Sequence, residues 1–337
     1  MISLEEATAF VLAGCAPLPG RPVARDEASG CVLAAEVRAT EDVPPFPNTA
    51  MDGYAVRAAD VAGAPVSLPV VAEVAAGHPA DRPLAPGEAM RIFTGAPIPA
   101  GADAVVMVEW TERLDGGASV EIGRPVDAGT HVRAAGDDLR AGEPVFAAGD
   151  CLSPAHQGVL ASLGVERVSV HPRPRVGVMS TGDELVEGPA PLAPGQIRDS
   201  NRPTLLALVA QAGFEPVDLG SAPDDEAAIT AVLEGGVASC DAVLSSGGVS
   251  MGDIDLVKVV LDRLGEMRWM QVAIRPAKPL AFGVVAGGDR AVPVFGLPGN
   301  PVSSIVSFEL FARPGMRRGG GHPPGRLHRP RQVAGAG

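Results

Sequence analysis

Lysine is almost missing from this 337-residue chain. Lys258 and Lys278 are the two, and arginine supplies the other 25 of 27 basic residues. Against 40 acidic residues this leaves a formal net charge of −13, which argues against nonspecific nucleic-acid binding. Any anionic ligand must then be held by local positive features. Aromatics are scarce at 4%, with Tyr54 the one tyrosine, so the cores must be aliphatic, and 46% hydrophobic content suffices for them. The four cysteines, Cys15, Cys31, Cys151 and Cys240, lie far apart and form no CxxC pair. That pattern excludes a cysteine-rich zinc site and reads as reduced thiols of a cytoplasmic protein. No basic stretch followed by an apolar core opens the chain, and no apolar run reaches transmembrane length, so a soluble protein with no membrane partner is expected.

What is present is organised by glycine and proline. The length exceeds what one core usually holds and predicts two or three domains. Ser3 to Glu6 matches a capping box, so a helix is expected to about Ala13, with Gly14 near its end. Pro44 to Pro47 cannot be helical and reads as a rigid crossover into the turn Asp52-Gly53. That turn is an ordinary pair of residues, or else the stiff segment holds Asp52 and Tyr54 in a defined place. From Ala55 to about Glu121, short β-like runs such as Val66–Val74 alternate with Gly and Pro, which suggests a small all-β domain. Thr94 sits at the base of a Gly/Pro-dense loop inside it.

After the proline-spaced residues 171–175, apolar runs alternate with helical patterns. Expected strands are Val176–Met179, Glu215–Leu219, Asp241–Leu244, Trp269–Ile274, Leu280–Val285 and Val292–Phe295. Expected helices are Asn201–Ala212, Asp225–Leu233, Leu256–Leu264 and Pro301–Phe311. This alternation implies a parallel sheet covered by helices, with ligands bound beyond the carboxyl ends of its strands. Three small-residue loops fall there: Ser180–Glu184, the stretch from Ser245 to Asp255, and Gly296–Asn300. Bare backbone N–H groups in such loops suit a phosphate. Asp253 and Asp255 suit a divalent cation between them and that anion. Taken alone, the stretch Ser245–Asp255 reads equally well as a plain strand-to-helix turn; three loops at one sheet edge favour a site for a large phosphorylated ligand.

With these stretches in view the sequence resembles the molybdopterin molybdenumtransferase family, that of MoeA and the gephyrin E domain. The carriers are Pro47–Ala55, Thr94–Pro97 with Gly101–Val106, Gly136–Asp138, Ser180–Leu185, Gly195–Asn201, Ser245–Asp253 and Gly296–Ser303, in that order. The resemblance implies a multidomain α/β plus β fold. Residues 1–51 and 137–172 would form a mixed N-terminal and linker domain, 52–136 a small β domain, and 173–314 a MogA-like α/β molybdopterin-binding domain. Residues 315–337, arginine-rich and free of acids, would be a disordered basic tail where the family continues into a fourth, C-terminal β domain.

The resemblance further implies Mg²⁺-dependent insertion of molybdenum from molybdate into adenylylated molybdopterin, with release of AMP. It implies a homodimer supplied by an upstream molybdopterin adenylyltransferase. Glu184, Asp225 and Asp255 match acidic positions suited to Mg²⁺ and to catalysis, with Asp224 a neighbouring possibility for Asp225. Thr181, Gly182, Asp183, Ser200, Ser246, Gly247, Gly248, Val249, Ser250, Pro298, Gly299 and Asn300 would cradle the phosphates and pterin. Arg275 and Lys278 would hold molybdate or phosphate. Asp52 and Thr94, with Asp138, would serve the reaction from the β domain of a partner copy. Lys258 is expected on the surface. An inactive, scaffold-type dimer that binds molybdopterin is the alternative. The adenylyltransferase of the preceding step shares the α/β domain, but the long β-rich first half argues against it.

Overall fold

Ser3 and Glu6 make both reciprocal bonds of the capping box. Glu6 N–H donates to Ser3 Oγ at 3.1 Å, and Ser3 N–H to the Glu6 carboxylate at 2.8 Å. The helix they start runs Leu4–Ala13 and buries Ala7 and Val11, one turn apart. The computed structural model to which it belongs describes residues 1–247 and 256–323. These divide into two compact units. One comprises 1–35, 147–157 and 166 onward, and the other 36–146 and 158–165.

The first unit is built on a six-stranded sheet, ordered Glu215–Ala222, Arg175–Thr181, Ala242–Ser246, Arg290–Leu297, Pro279–Gly287, Gly265–Gln271. The first four strands run parallel, as the alternating pattern requires. Pro279–Gly287 runs antiparallel to both its neighbours, Arg290–Leu297 and Gly265–Gln271, so the expected parallel sheet carries one reversed strand. The reason is chain length. Only Gly288 and Asp289 separate Gly287 from Arg290, too few for a parallel crossover. Helices Asn201–Gln211 and Leu256–Leu264 match their expected positions, and Glu226–Ser239 starts as expected but runs on past Leu233. One core joins Val176, Val178, Leu205, Val209, Phe282 and Phe295 to Ala7, Val11 and Cys15 of the N-terminal segment. Each such fully buried aliphatic side chain contributes about 1.5–3 kcal/mol. The N-terminal helix therefore packs into the α/β core, whereas the sequence assigned it to a mixed linker domain.

A bulge interrupts the Glu215–Ala222 strand. Val178 pairs with Asp218 and Met179 with Gly220, so Leu219 is skipped. Gly220 takes φ +80°, and the Asp218 carboxylate accepts its N–H at 2.9 Å. Leu219 fits between two glycines. A Cβ at Gly177 or Gly236 would lie 2.6 or 2.7 Å from Leu219 Cδ1.

The helix from Pro301 does not stop at Phe311. It passes through a π-helical turn, Phe308–Ala312, and continues as Arg313–Gly319. The disorder expected from residue 315 onward is thus corrected as far as the described residues reach. Gly315 and Met316 are buried, the Arg318 guanidinium donates to Cys15 O, and Leu18 N–H donates to Gly319 O, both at 2.8 Å. Glycine at 315 is what permits this contact, since a Cβ there would lie 2.9 Å from Cys15 Sγ. The expected tail beyond residue 323 lies outside the described residues.

The second unit carries a six-stranded sheet, ordered Ala104–Met107, Gly53–Val56, Ala89–Ile92, Val66–Val74, Ser119–Ile122, Thr111–Leu114. Tyr54, Val56, Leu68, Val106, Val120 and Ile122 pack together. Tyr54 is 1% exposed and belongs to this core, so the rigid crossover presents Asp52 but not Tyr54. Among the described residues no helix is long and apolar enough to cross a membrane.

Candidate functional site

The Arg175–Thr181 strand has its two successors on opposite sides, Glu215–Ala222 and Ala242–Ser246. A crevice opens beyond the carboxyl ends of strands at such a switch point. The three glycine loops meet there. Gly247 N–H donates to Leu297 O at 3.2 Å. Gly247 takes φ +98°, and a Cβ on it would lie 2.9 Å from Thr181 O. A Cβ on Gly299 would come within 3.8 Å of Gly247 Cα. Glycine at these positions keeps backbone against backbone. Thr181, Gly182, Ser246 and Pro298 are buried at this edge, while Gly299 and Asn300 are exposed. Gly248, Val249, Ser250 and Asp255 lie outside the described residues. Asn300 caps the helix that follows, its Oδ1 accepting Ser303 N–H at 3.2 Å.

Two residues that hold this edge together were absent from the sequence-derived site. Asn201 donates from Nδ2 to Ser246 Oγ at 2.8 Å and to Gly299 O at 2.7 Å, joining two of the loops. Arg202 is 8% exposed and faces three carboxylates. Its Nη1 donates to both Asp218 oxygens at 2.5 and 2.6 Å, Nε to Asp199 at 3.1 Å, and Nη2 pairs with Glu187. Burial alone lowers the Arg202 pKa, but the bonds to Asp218 and Asp199 outweigh it and raise the net value. Burial likewise raises Asp218, yet Gly220 N–H and Arg202 bring it below the usual carboxylate range. Asp199 also accepts Ser180 Oγ–H at 2.5 Å. The signal for Asn201 was present in the motif Gly195–Asn201, which ends one residue short of Arg202. Ser200 precedes that helix, is exposed and makes no capping bond.

The acidic candidates fall on neighbouring turns. Glu184 is exposed, and its carboxylate fills the space a side chain at Gly182 would occupy, 2.3 Å from the built Cβ. Among the described residues the Glu184 carboxylate has no hydrogen-bond or ion-pair partner. Asp183 accepts Asp224 N–H at 3.0 Å, and Gly182 N–H donates to Ala222 O at 3.2 Å, so the two turns are tied. Asp225 has a structural task as the N-cap of the Glu226–Ser239 helix, accepting Ala228 N–H at 2.9 Å. The side chain of the exposed Asp224 makes no such bond. Among the described residues no three His, Cys, Asp or Glu side chains are grouped to hold a metal.

Arg275 and Lys278 are exposed on a turn closed by Val272 N–H to Lys278 O at 2.8 Å. Ala277, between them, is buried at φ +72°, a conformation costly for a residue with a Cβ. Among the described residues no carboxylate pairs with either cation. Lys258 is exposed, its ammonium 5.5 Å from the Trp269 ring centroid, as expected for a surface lysine.

In the second unit Asp52 precedes one strand and Thr94 follows its antiparallel neighbour. Asp52 Oδ1 accepts Thr94 N–H and Thr94 Oγ1–H, both at 2.7 Å. The Thr94 hydroxyl and amide, helped by the Arg91 charge, hold the exposed Asp52 carboxyl below its usual range. Asp138 pairs with Arg133 at 2.6 Å.

Residues 2–164 match the model of the MoeA N-terminal region, domains I and II, and residues 177–318 match a probable molybdopterin binding domain. The chain is 42% identical over 337 residues to molybdopterin molybdenumtransferase 2 of Mycobacterium tuberculosis, covering 96% of this chain and 81% of that one. It is 43% identical over 300 residues to molybdopterin molybdenumtransferase of a Nostoc species, covering 87% and 68%. The crystal structure of a molybdopterin biosynthesis MoeA protein from Pyrococcus horikosii superposes with a TM-score of 0.80 at 35% identity, covering 95% of this chain and 80% of that one. The ordered motifs, the mixed α/β sheet with its glycine-lined edge, and these matches agree: the chain belongs to the molybdopterin molybdenumtransferase (MoeA) family.

Proposed function

We propose that this protein inserts molybdenum from molybdate into adenylylated molybdopterin and releases AMP, in a Mg²⁺-dependent reaction. The observation that carries the reading is the convergence of three glycine loops at the switch point of the sheet. Glycine backbone without side chains at this edge leaves room for a pterin and a phosphoanhydride where larger residues would block them. Arg275 and Lys278, paired with no carboxylate among the described residues, supply the local positive charge that a protein of net charge −13 needs for molybdate or phosphate.

The donor chemistry fits Mg²⁺: the Glu184 carboxylate, unpaired among the described residues, with Asp224 or Asp225 on the adjoining turn, offers hard oxygen ligands. Asp255 completes the set as read from sequence. Bound there, the ion would neutralise charge developing on the phosphoanhydride. Thr181, Gly182, Ser246, Gly247 and Gly299 bind and orient the substrate. Asp52, kept ionised by Thr94, is a second polar group for the reaction in a homodimer. The same reading places the protein in the cytoplasm, downstream of an adenylyltransferase.

The test is a single turnover with purified protein, adenylylated molybdopterin, molybdate and Mg²⁺, following AMP and mature cofactor together. Coupled appearance of both supports the proposal. Tight binding with neither product replaces it with the binding-module reading. Glu184→Ala should abolish insertion while leaving the oligomeric state intact, and normal insertion by that variant would remove Glu184 from the metal site.

A further inference from the structure

We propose that Arg202 is the positioning residue of this site: its guanidinium fixes, relative to one another, the segments that carry Glu184, Asn201 and Asp224–Asp225. The proposal deepens the functional reading above and rests on it for the roles of those carboxylates. Arg202 stands in two unfavourable places at once. It is buried, and it lies in the first turn of the Asn201–Gln211 helix, where the helix dipole disfavours a cation. Asp199 is buried beside it, but Asp218 and Glu187 are half exposed, so the cluster adds little stability that apolar residues of similar volume would not supply. What they lack is direction, and every Arg202 contact is directional.

Each carboxylate partner belongs to a different segment. Glu187 follows the short strand Leu185–Val186, which pairs with Ile197–Arg198 directly after Glu184, whose carbonyl accepts Ile197 N–H at 2.8 Å. Asp199 accepts the Arg202 backbone N–H and side chain together with Ser180 Oγ–H, so it ties the helix start to the end of the Arg175–Thr181 strand. Asp218 sits at the bulge, where the skipped Leu219 sets which residues follow in register. Two residues past Gly220, Ala222 O receives Gly182 N–H, and Asp224 N–H then donates to Asp183. Loosening Asp218 therefore frees the register of the strand that delivers Asp224 and Asp225. Asn201, next to Arg202, carries the same anchorage to Ser246 and Gly299.

The experiment uses the full chain with Arg202→Lys, which keeps the charge but not the planar fork, Arg202→Met, and the near-isosteric Asp218→Asn. Amide exchange is compared at Gly182 and Asp224 against Val178 and Leu244 in the sheet interior. Mn²⁺ alone, followed by its electron paramagnetic signal, reports the carboxylate site. The expected result is faster exchange at Gly182 and Asp224 with Val178 and Leu244 unchanged, and Mn²⁺ affinity lowered roughly 10-fold or more. Arg202→Lys should recover part of the loss that Arg202→Met shows. Equal change at all four amides, or none, overturns the proposal, because Arg202 would then serve global stability or nothing local. Local loosening with unchanged Mn²⁺ affinity also overturns it. If Arg202→Met does not fold, Asp218→Asn alone decides. Failure of the functional reading shows separately, as a wild-type chain that inserts no molybdenum or binds no Mn²⁺ while the exchange pattern still judges Arg202.

Discussion

Gly247→Ala tests whether the loop edge depends on close backbone approach, and Gly213→Ala is its control. Both glycines have positive φ, +98° and +86°, and both belong to the first unit. They differ in surroundings. A Cβ at 213 meets no atom within 4 Å, whereas one at 247 lies 2.9 Å from Thr181 O and 3.1 Å from Thr181 Oγ1. The threonine hydroxyl can rotate away, but the carbonyl is held in the sheet. Gly213→Ala should therefore cost only the conformational strain, roughly 1–2 kcal/mol. Gly247→Ala adds the steric contact, about 1–3 kcal/mol more for an overpacked site. For a unit of this size each kcal/mol lowers the melting temperature by about 2–4 °C. Thermal melts of the two variants and wild type should separate in that order. Affinity for adenylylated molybdopterin should fall in Gly247→Ala and hold in Gly213→Ala, since relief of the contact moves Thr181 or Gly247. Equal destabilisation by both substitutions would refute the argument, because strain alone would then account for Gly247.

Thr94→Val removes one of two donors to Asp52, so the Asp52 carboxyl should titrate closer to its ordinary range, as read from its side-chain carbon shift. The folded value lies below the unfolded one, so these contacts stabilise above the unfolded range and are lost as pH falls through the folded value. Asp225→Asn keeps an equally good cap, whereas Asp225→Ala should cost about 1 kcal/mol in helix stability. If Asp225 holds Mg²⁺, both variants raise the Mg²⁺ needed for turnover; if Asp224 does, neither changes it by more than the loss of the cap explains. Iodoacetamide at pH 8 should modify the exposed Cys151 first in the native chain. Cys15, buried and with its thiol pushed up to about 12, should react only after unfolding, and mass mapping of the labelled peptides decides this.

The local elements of the fold could be read directly. The capping box at Ser3, the helix start after Asp225 and the three strand-end loops depend on residues within a few positions of one another. The antiparallel edge was legible as well: a two-residue Gly288-Asp289 connection is a hairpin signal, but the preceding βα alternation suggested a parallel continuation. Arg202 was out of reach for a physical reason. Its partners Glu187 and Asp218 lie 15 and 16 residues away on either side, and Asp218 meets it through a bulge that no periodicity announces. Tyr54 misled because a lone tyrosine beside Asp52 suggested function, while its strand is buried on both faces, with Tyr54 and Val56 in one core and Ala55 in another. The helical continuation to Gly319 was hidden by its glycines and arginines, which carry no amphipathic period; tertiary contact with Cys15 and Leu18 holds it.

The fit of Leu219 between Gly177 and Gly236 has a consequence for how this sequence can change over time. Three positions far apart in the chain share one small volume, so the order of substitutions matters. Alanine at 177 or 236 must push the end of the Leu219 side chain aside, and meets less resistance once a smaller residue at 219 has opened the gap. In relatives that accumulate changes one at a time, a side chain at either glycine should therefore be more frequent where 219 is shortened than where it stays leucine.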